Sequence, residues 1–450
     1  MKEKQYVSDH IVRVAVCMVL LVSGAQGQEL KLSMREAVEL ALRQNHALKM
    51  AHFALDAERQ KRSGARSAYF PKITNESNLL HVSDLERVEV PAGALGSLPA
   101  GGVVPSSNVL LPQGKETLES SGTEIEQPLT QLVKIREANK IAVADVTKSE
   151  ASLQETSTDV VYRVHELYYR ILTTQLLRDS AKAELLADNE SLSEGGEQFK
   201  NGSLLEATLL ESRANSLEAK QALLTAEMQI SDSMTKLDDL LGLPLDTKLT
   251  LDPNVEIVSD EPTRDEALQT AMKDNPELKE AHSGLTRARA AHAAAKAEYI
   301  PDITAFARDS YQNGVSFVDH NFGTFGIHLS YDLFDAGKRQ AQVRERKDEV
   351  FESEENVERI REEITARIAI TYNRLETTRS MVDVAKEVLA ARQASARLAE
   401  NQFNQGTTLA SQRDASRATE MKAKMALLSA SLDYCLAQDE LARILGDPVK

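Results

Sequence analysis

The sequence contains no tryptophan, two cysteines, 12 prolines and 20 glycines in 450 residues. So few chain breakers exclude a turn-rich architecture. The abundance of Ala, Leu, Glu, Lys, Arg and Gln favours long helices instead. Cys17 sits in an N-terminal apolar run, which leaves Cys435 alone in the remainder and excludes a disulfide framework. Stability must therefore come from packing. No segment offers 18 consecutive apolar residues, so no helical membrane span is expected. Basic residues number 53 against 69 acidic ones, for a formal charge of −16. No basic stripe is interleaved with aromatics, so nucleic acid is not an expected partner. The mixed charges along the helices read as solvated faces.

Motifs of catalysis are missing too. There is no HExxH, paired-cysteine site, phosphate-binding glycine loop or nucleophile elbow. His52 and His282 sit amid helical Ala and Leu and read as packing or surface residues, while His292 and His328 have no ligand-spaced partner. No cofactor, metal or enzymatic activity is expected.

What is present begins with an export signal. Lys2, Lys4 and Arg13 precede an apolar run from Val14 to Val22, and "SGAQG" supplies small residues for cleavage after Ala25 or Gly27. A run this short cannot span a bilayer, which needs about 20 residues. Residues 1–27 are therefore read as a signal peptide.

The rest of the chain says the same thing twice. Asn45, Leu48, Leu55, Tyr69 and Pro71 recur without a gap 230 residues later as Asn275, Leu278, Leu285, Tyr299 and Pro301. Further on the offset becomes 204: Tyr168, Phe199, Gly202, Leu241 and Gly242 match Tyr372, Phe403, Gly406, Leu445 and Gly446. The first copy thus holds extra residues, and the segment "PAGALGSLPAGGVVPSSNVLLPQG" makes 75–122 a long loop. Residues 28–242 form the first repeat, 243–263 a proline-bearing linker and 264–450 the second repeat. Each repeat is expected to run in one order. A short helix comes first (34–45, 264–274), capped by Ser33 or Thr263. A second helix follows (46–67, 276–298), then two strands (69–80 and 118–129; 299–312 and 322–334). A very long helix (133–200, 337–404) and a final helix (204–241, 408–445) complete it. Apolar steps of four and three along the long helices suit side-by-side helix packing.

The strands argue against a simple coiled-coil rod. In "FGIHLSYDLFDAG" Ile327, Leu329, Tyr331 and Leu333 face one way and His328, Ser330 and Asp332 the other. An apolar face with aromatics near its ends fits a transmembrane β-barrel; the alternative is a soluble hairpin sheet packed on a helix. Four strands cannot close a membrane barrel, and open edges in lipid are costly. In a membrane the sheet would need two copies, giving eight strands, or three, giving twelve and a water-filled lumen.

These motifs together resemble the TolC-like outer membrane efflux proteins. The marks are "EAVELALRQN" and "DEALQTAMKDNPEL", "YFPKI" and "YIPDI", "YDLFDAGKR", "QFKNGSLLEATLLESR" and "QFNQGTTLASQRDASR", and the closing "LLGLP" and "ILGDP". The resemblance implies a mainly helical fold with a small β part. Its two tandem repeats form one third of a trimeric twelve-stranded outer-membrane β-barrel with a long periplasmic helical barrel. It implies a passive gated duct in tripartite efflux or type I secretion. The implied partners are sibling chains (a homotrimer), a periplasmic adaptor (membrane fusion protein), an inner-membrane RND, ABC or MFS transporter, and outer-membrane lipid. A soluble periplasmic adaptor or scaffold is the alternative. Site residues follow by position. Asn201, Gly202, Leu204 and Leu205, with Gln405, Gly406, Thr408 and Leu409, form the helix-turn tips and adaptor contact. Phe199, Thr208, Glu211, Phe403, Gln412 and Asp414 lie at a periplasmic constriction. Tyr69, Pro71, Tyr299 and Pro301 start strands. Thr208 and Gln412 stand where the family often has acidic residues, and Glu211 and Asp414 are nearby substitutes. "EQPLTQLVK" matches "YDLFDAGKR" loosely, which implies a less kinked return to helix.

Overall fold

Each repeat opens with a helix whose start is fixed by its own side chains. In α1 (Met34–Gln44) the Ser33 hydroxyl accepts from the Glu36 amide while Glu36 accepts from the Ser33 amide. Thr263 and Glu266 do the same for α5 (Arg264–Asp274). These reciprocal bonds satisfy donors that a helix start leaves orphaned. We describe the fold from a computed structural model that covers residues 30–112, 114–245, 247–253, 261–315 and 318–446. The expected signal peptide lies outside the described residues.

The elements are β1 (Leu30–Leu32), α1, α2 (His46–Ser67), β2 (Lys72–His81), β3 (Arg87–Val90), β4 (Ser97–Leu98), β5 (Gly102–Val103), β6 (Val109–Pro112) and β7 (Gly114–Pro128). Then come α3 (Leu132–Lys200), α4 (Glu206–Leu241), β8 (Leu249–Leu251), α5, α6 (Pro276–Ala297), β9 (Asp302–Val315), β10 (Asn321–Ser330), α7 (Lys338–Asn404) and α8 (Ala410–Leu445). They fall into two compact units that cut across the two sequence repeats. One holds the residues up to Phe53 with Ala151–Lys279 and Arg359–Lys450; the other holds Ala54–Glu150 and Glu280–Glu358.

The first unit is helical. Its core joins Val160, Val164, Tyr168 and Ile171 of α3 to Ala37 and Ala41 of α1, Leu237 and Leu241 of α4, and Leu432 of α8. The recurrent asparagines explain themselves here. Asn45 donates to the Leu240 carbonyl (3.0 Å) and accepts from the Leu48 amide (3.1 Å). Asn275 donates to the Ile444 carbonyl (2.8 Å) and accepts from the Leu278 amide (3.0 Å). One side chain thus serves the break between two short helices and a carbonyl at the end of the final helix, positions that otherwise lack partners. The recurrent Leu-Gly belongs to the same joint. Gly242 and Gly446 take φ of 69° and 74°, and a Cβ there would lie 3.0 Å from the Gln44 carbonyl oxygen and 2.8 Å from that of Asp274. Tyr168 donates to the carbonyls of Leu32 and Asp252, and its repeat mate Tyr372 donates to that of Pro262. β1 and β8 pair in parallel, which places a strand inside the segment expected to be a plain linker. Three-residue strands are too short to leave a periodic signal.

The second unit carries one antiparallel four-stranded sheet in the order β10-β9-β7-β2. Its register aligns three apolar rows on one face, while Phe306, Phe322, Leu80 and Leu118 lie on the other. Phe325, Ala307, Ile125 and Ile73 form one row across all four strands; Ile327 with Ala305 and Leu329 with Ile303 form the next two. Phe325 is 89 % exposed. Farther along, the same face turns polar through Asp309, Thr123 and Asn75. The opposite face carries Arg308, Glu124 and Glu126, and Gly122 leaves room for the Arg308 guanidinium, which a Cβ would meet at 2.7 Å. Tyr331 and Leu333, expected to continue the alternation, lie beyond the end of β10 at Ser330.

The expected loop 75–122 is a correction. β2 continues to His81 and β7 begins at Gly114. Between them β3 pairs with β6 and β4 with β5. Pairs this short, parted by Gly- and Pro-rich turns, look like loop in sequence.

Candidate functional site

The helix-turn tips follow from backbone accounting. At the end of α3 the Gly202 amide donates to Phe199 (2.9 Å) and the Ser203 amide to Gln198 (2.8 Å), with Gly202 at φ 72°. At the end of α7 the Gly406 amide donates to Phe403 (2.9 Å) and the Thr407 amide to Gln402 (3.0 Å), with Gly406 at φ 71°. Both are left-handed helix stops, which glycine adopts without steric cost. Nothing lies within 4 Å of a Cβ at either glycine.

The next helices start against the usual rule. Their N-cap positions are Leu205 and Leu409, and neither makes a side-chain cap bond. Ser, Thr, Asp or Asn normally stands there. Leu205 is 76 % exposed and Leu409 54 %. The sequence marks these leucines by their place after the turn glycine, but the missing cap shows only in the fold. α8 receives a substitute: Glu194 of α3 accepts from the Ser411 amide (3.2 Å) and hydroxyl (2.5 Å). A carboxylate at a helix start also complements the helix dipole. Leu204 and Thr408 are half-buried, and Asn201 and Gln405 are exposed.

The expected constriction residues divide. In the second repeat they form one network. Arg413 sits over the Phe403 ring at 4.2 Å and pairs with Asp414 at 2.8 Å. Arg417 reaches Glu400 at 2.8 Å and Asp414 at 3.8 Å. The Asp414 carboxylate raises the Arg413 guanidinium above its already high ordinary value. Thr408 Oγ1 donates to Gln412 Oε1 at 2.9 Å. In the first repeat Thr208 and Glu211 are exposed, and Phe199, expected between helices, is 40 % exposed. Asp414 is therefore ion-paired with Arg413 and Arg417, while Glu211 faces solvent.

At the strand starts, the Tyr69 carbonyl accepts from Gln127 (3.3 Å) and that of Pro301 from the Thr130 hydroxyl (2.6 Å). Pro71 is exposed. Tyr299 lies under the Arg339 guanidinium at 5.6 Å, which also covers Tyr331 at 4.9 Å. Only the second return to helix uses positive φ, at Ala336 (53°) and Gly337 (89°). In the first, Thr130 accepts from the Ile303 amide as well, tying the turn to β9.

His52, His282 and His328 are exposed, and no group of His, Cys, Asp and Glu among the described residues could hold a metal ion. Nothing in the sequence marks His165 as paired. It is buried in the helical unit with Nδ1 2.7 Å from Asp439 Oδ2, beside Tyr169 and Cys435. Only its apolar helical neighbours Val161, Val164 and Tyr168 pointed to burial.

The model of the family "Outer membrane efflux protein" matches residues 37–243 and 267–447. The chain belongs to that family. It is homologous to outer-membrane efflux channels of tripartite pumps, and nothing supports the soluble adaptor alternative. Family and neighbours are channel proteins, not enzymes. Solved structures share the fold. The CmeC outer membrane channel of Campylobacter jejuni is 15 % identical with a TM-score of 0.74, covering 92 % of this chain and 85 % of that one. The outer-membrane channel OprN is 19 % identical with a TM-score of 0.71, covering 92 % and 89 %. The open-state MtrE channel of Neisseria gonorrhoeae is 17 % identical with a TM-score of 0.71, covering 93 % and 89 %. No curated protein sequence matches the chain. Among the described residues no helix is long and apolar enough to cross a membrane.

Proposed function

We propose that three copies of this chain assemble into a gated, passive duct of the Gram-negative outer membrane with a periplasmic extension. The observation that carries this reading is the unfinished sheet. Among the described residues its four strands end in open edges at β2 and β10, with three apolar rows on one face and Arg308, Glu124 and Glu126 on the other. Unpaired edge groups in hydrocarbon cost several kcal/mol each. Three sheets supply twelve strands, enough for a barrel with an aqueous lumen. The polar face carrying Arg308 and Glu124 lines that lumen. Three helical units supply twelve long helices to the periplasmic extension. Transport is driven by an inner-membrane transporter reached through a periplasmic adaptor. The exposed Leu205 and Leu409 at the tips are the adaptor contact, because apolar side chains at an exposed turn gain from a partner.

Reconstitution tests the reading. Detergent-extracted protein added to planar bilayers is expected to give discrete ion-conducting steps. Replacing Leu205 and Leu409 with Asp is expected to leave those steps unchanged and to abolish adaptor crosslinking in cells. Protein that stays soluble without detergent and conducts nothing overturns the duct.

A further inference from the structure

The two hairpins of the four-stranded sheet do not end at one level. β9 stops at Val315, which pairs with Gly114 of β7, and β10 begins at Asn321. The β2–β7 hairpin goes on past that level. His81 pairs with Thr117, Val88 with Leu111 and Ser97 with Val103. Between these pairs the two strands advance by seven and six residues, then by nine and eight, so the three pairs make one hairpin with a single extra residue at each joint. Backbone bonds bridge the joints: the Val82 amide donates to the Glu116 carbonyl (2.8 Å) and the Leu95 amide to that of Val104 (2.9 Å). An extra residue on one strand bends and twists the pair. The hairpin turns back between Leu98 and Gly102. Helices α2 and α3 adjoin it at Lys72 and Pro128, so this tip lies at the end of the sheet away from the helices. In the reading above, that end is the outer mouth of the barrel.

The chemistry of this extension differs from that of the rest of the chain. From Val90 to Gly114 there is no Asp, Glu, Lys, Arg or His, in a protein with 53 basic and 69 acidic residues. The register of β3 and β6 sets Val88, Val90, Val109 and Leu111 on one face, and nearer the tip Leu95 and Leu98 are exposed. Among the described residues neither β3–β6 nor β4–β5 has a third strand. A lone two-stranded hairpin is marginally stable in water, and a contiguous exposed apolar surface marks a contact. Pro91, Pro105 and Pro112 remove backbone donors, so the extension offers a partner its side-chain faces and not a strand edge. Lipid is not that partner. The polar row of Asp309, Thr123 and Asn75 lies between the extension and the apolar rows of the sheet, which puts the extension beyond the hydrocarbon.

We propose that the partner is the same extension of the two sibling chains, and that three extensions pack face to face into an apolar cap that narrows the outer mouth of the duct. The inference rests on the oligomeric reading above and adds what stands over its outer end. Rotational symmetry places three extensions on one rim, with a short β9–β10 turn between each two. Strands about 4.8 Å apart and tilted by about 40° give a twelve-stranded barrel a radius of about 12 Å. From Arg87 to Pro99 an extended chain reaches at most about 40 Å at about 3.3 Å per residue, so each extension is long enough to bend to the axis. The part that meets its siblings there is the part without charge, so no charge is buried unpaired, and removal of apolar surface from water rewards the contact.

Cysteine crosslinking in the full-length protein in its membrane tests the cap. Cys435 is buried with its thiol pushed up to about 11, so it stays silent. Leu98→Cys, beside the tip, is expected to give covalent dimers of the chain on oxidation. Val318→Cys, in the short β9–β10 turn, stays on the rim, where copies stand about 20 Å apart on a ring of this radius. It is expected to give none, because a disulfide needs Cα atoms within about 7 Å. Replacing Val88 and Leu111 together with Asp is expected to raise the conductance of single channels in planar bilayers. Native mass measurement of each variant separates the two ideas. Three-chain particles that do not link at Leu98, that link there only to a different protein, or whose conductance the Asp pair leaves unchanged overturn the cap alone. A monomer overturns the cap and the oligomeric reading together.

Discussion

Glycine shows how much one position can mean and how differently two copies of a motif can depend on it. Gly446 needs both a left-handed backbone and the absence of a side chain, because the Asp274 carbonyl lies in the way. Gly202 needs only the backbone. A left-handed alanine costs roughly 1–2 kcal/mol. Gly202→Ala is therefore expected to lower the urea midpoint slightly, and Gly446→Ala considerably more, when the detergent-solubilised protein is unfolded. Equal losses contradict the joint between short and final helices. The pair of His165 and Asp439 is a second case. Leaving one partner of a buried hydrogen-bonded pair unsatisfied costs about 1–3 kcal/mol, while replacing both by apolar groups can be nearly neutral. Asp439→Leu is expected to destabilise strongly, and adding His165→Leu to recover most of the loss. An additive double variant contradicts the coupling. The sequence showed that Asn45 and Asn275 recur, but not why, since their partners Leu240 and Ile444 lie 195 and 169 residues away. His165 escaped notice because its partner is 274 residues away.

At the scale of elements, long amphipathic helices were legible to within a residue or two because their pattern repeats over many turns. The short strands β3 to β6 and β8 were not, because two to four residues carry no period. The sheet face was legible in part: alternation placed Ile327 and Leu329 together, but the strand stops before Tyr331. That face yields a prediction. Arginine at mid-depth on a lipid-facing strand surface costs about 2–4 kcal/mol. Phe325→Arg is expected to reduce membrane assembly sharply, while Thr324→Arg on the charged face is tolerated. The reverse order contradicts the assignment of faces. Between α6 and α7, Arg367 binds Glu277 through two bonds, one of 2.8 Å. The guanidinium bond holds the Glu277 carboxyl below its ordinary range against the opposing effect of burial. Its folded value thus lies below its unfolded one. The stabilisation is fully present above the ordinary carboxylate range and is lost as pH falls through the depressed value. Glu277→Gln is expected to lower the thermal midpoint at neutral pH, with the gap to wild type closing in acid. A gap that widens in acid contradicts the pairing.

At the scale of the molecule, two duplicated halves do not make two domains. Each sequence repeat sends its first short helix, its final helix and part of its long helix to one unit, and most of its second helix, its strands and the rest of the long helix to the other. Doubling was visible in the sequence as two offsets; the division into units was not, because it depends on where α3 and α7 change neighbours. What is left open among the described residues is as informative as what is buried: the four-stranded sheet has two edges, β2 and β10, with no partner strand. The central claim is that sibling chains complete these surfaces. The mass of the detergent-extracted protein, measured by native mass spectrometry, tests it most directly. Three chains per particle are the expected result. A single chain per particle, well behaved in buffer without detergent, contradicts the account.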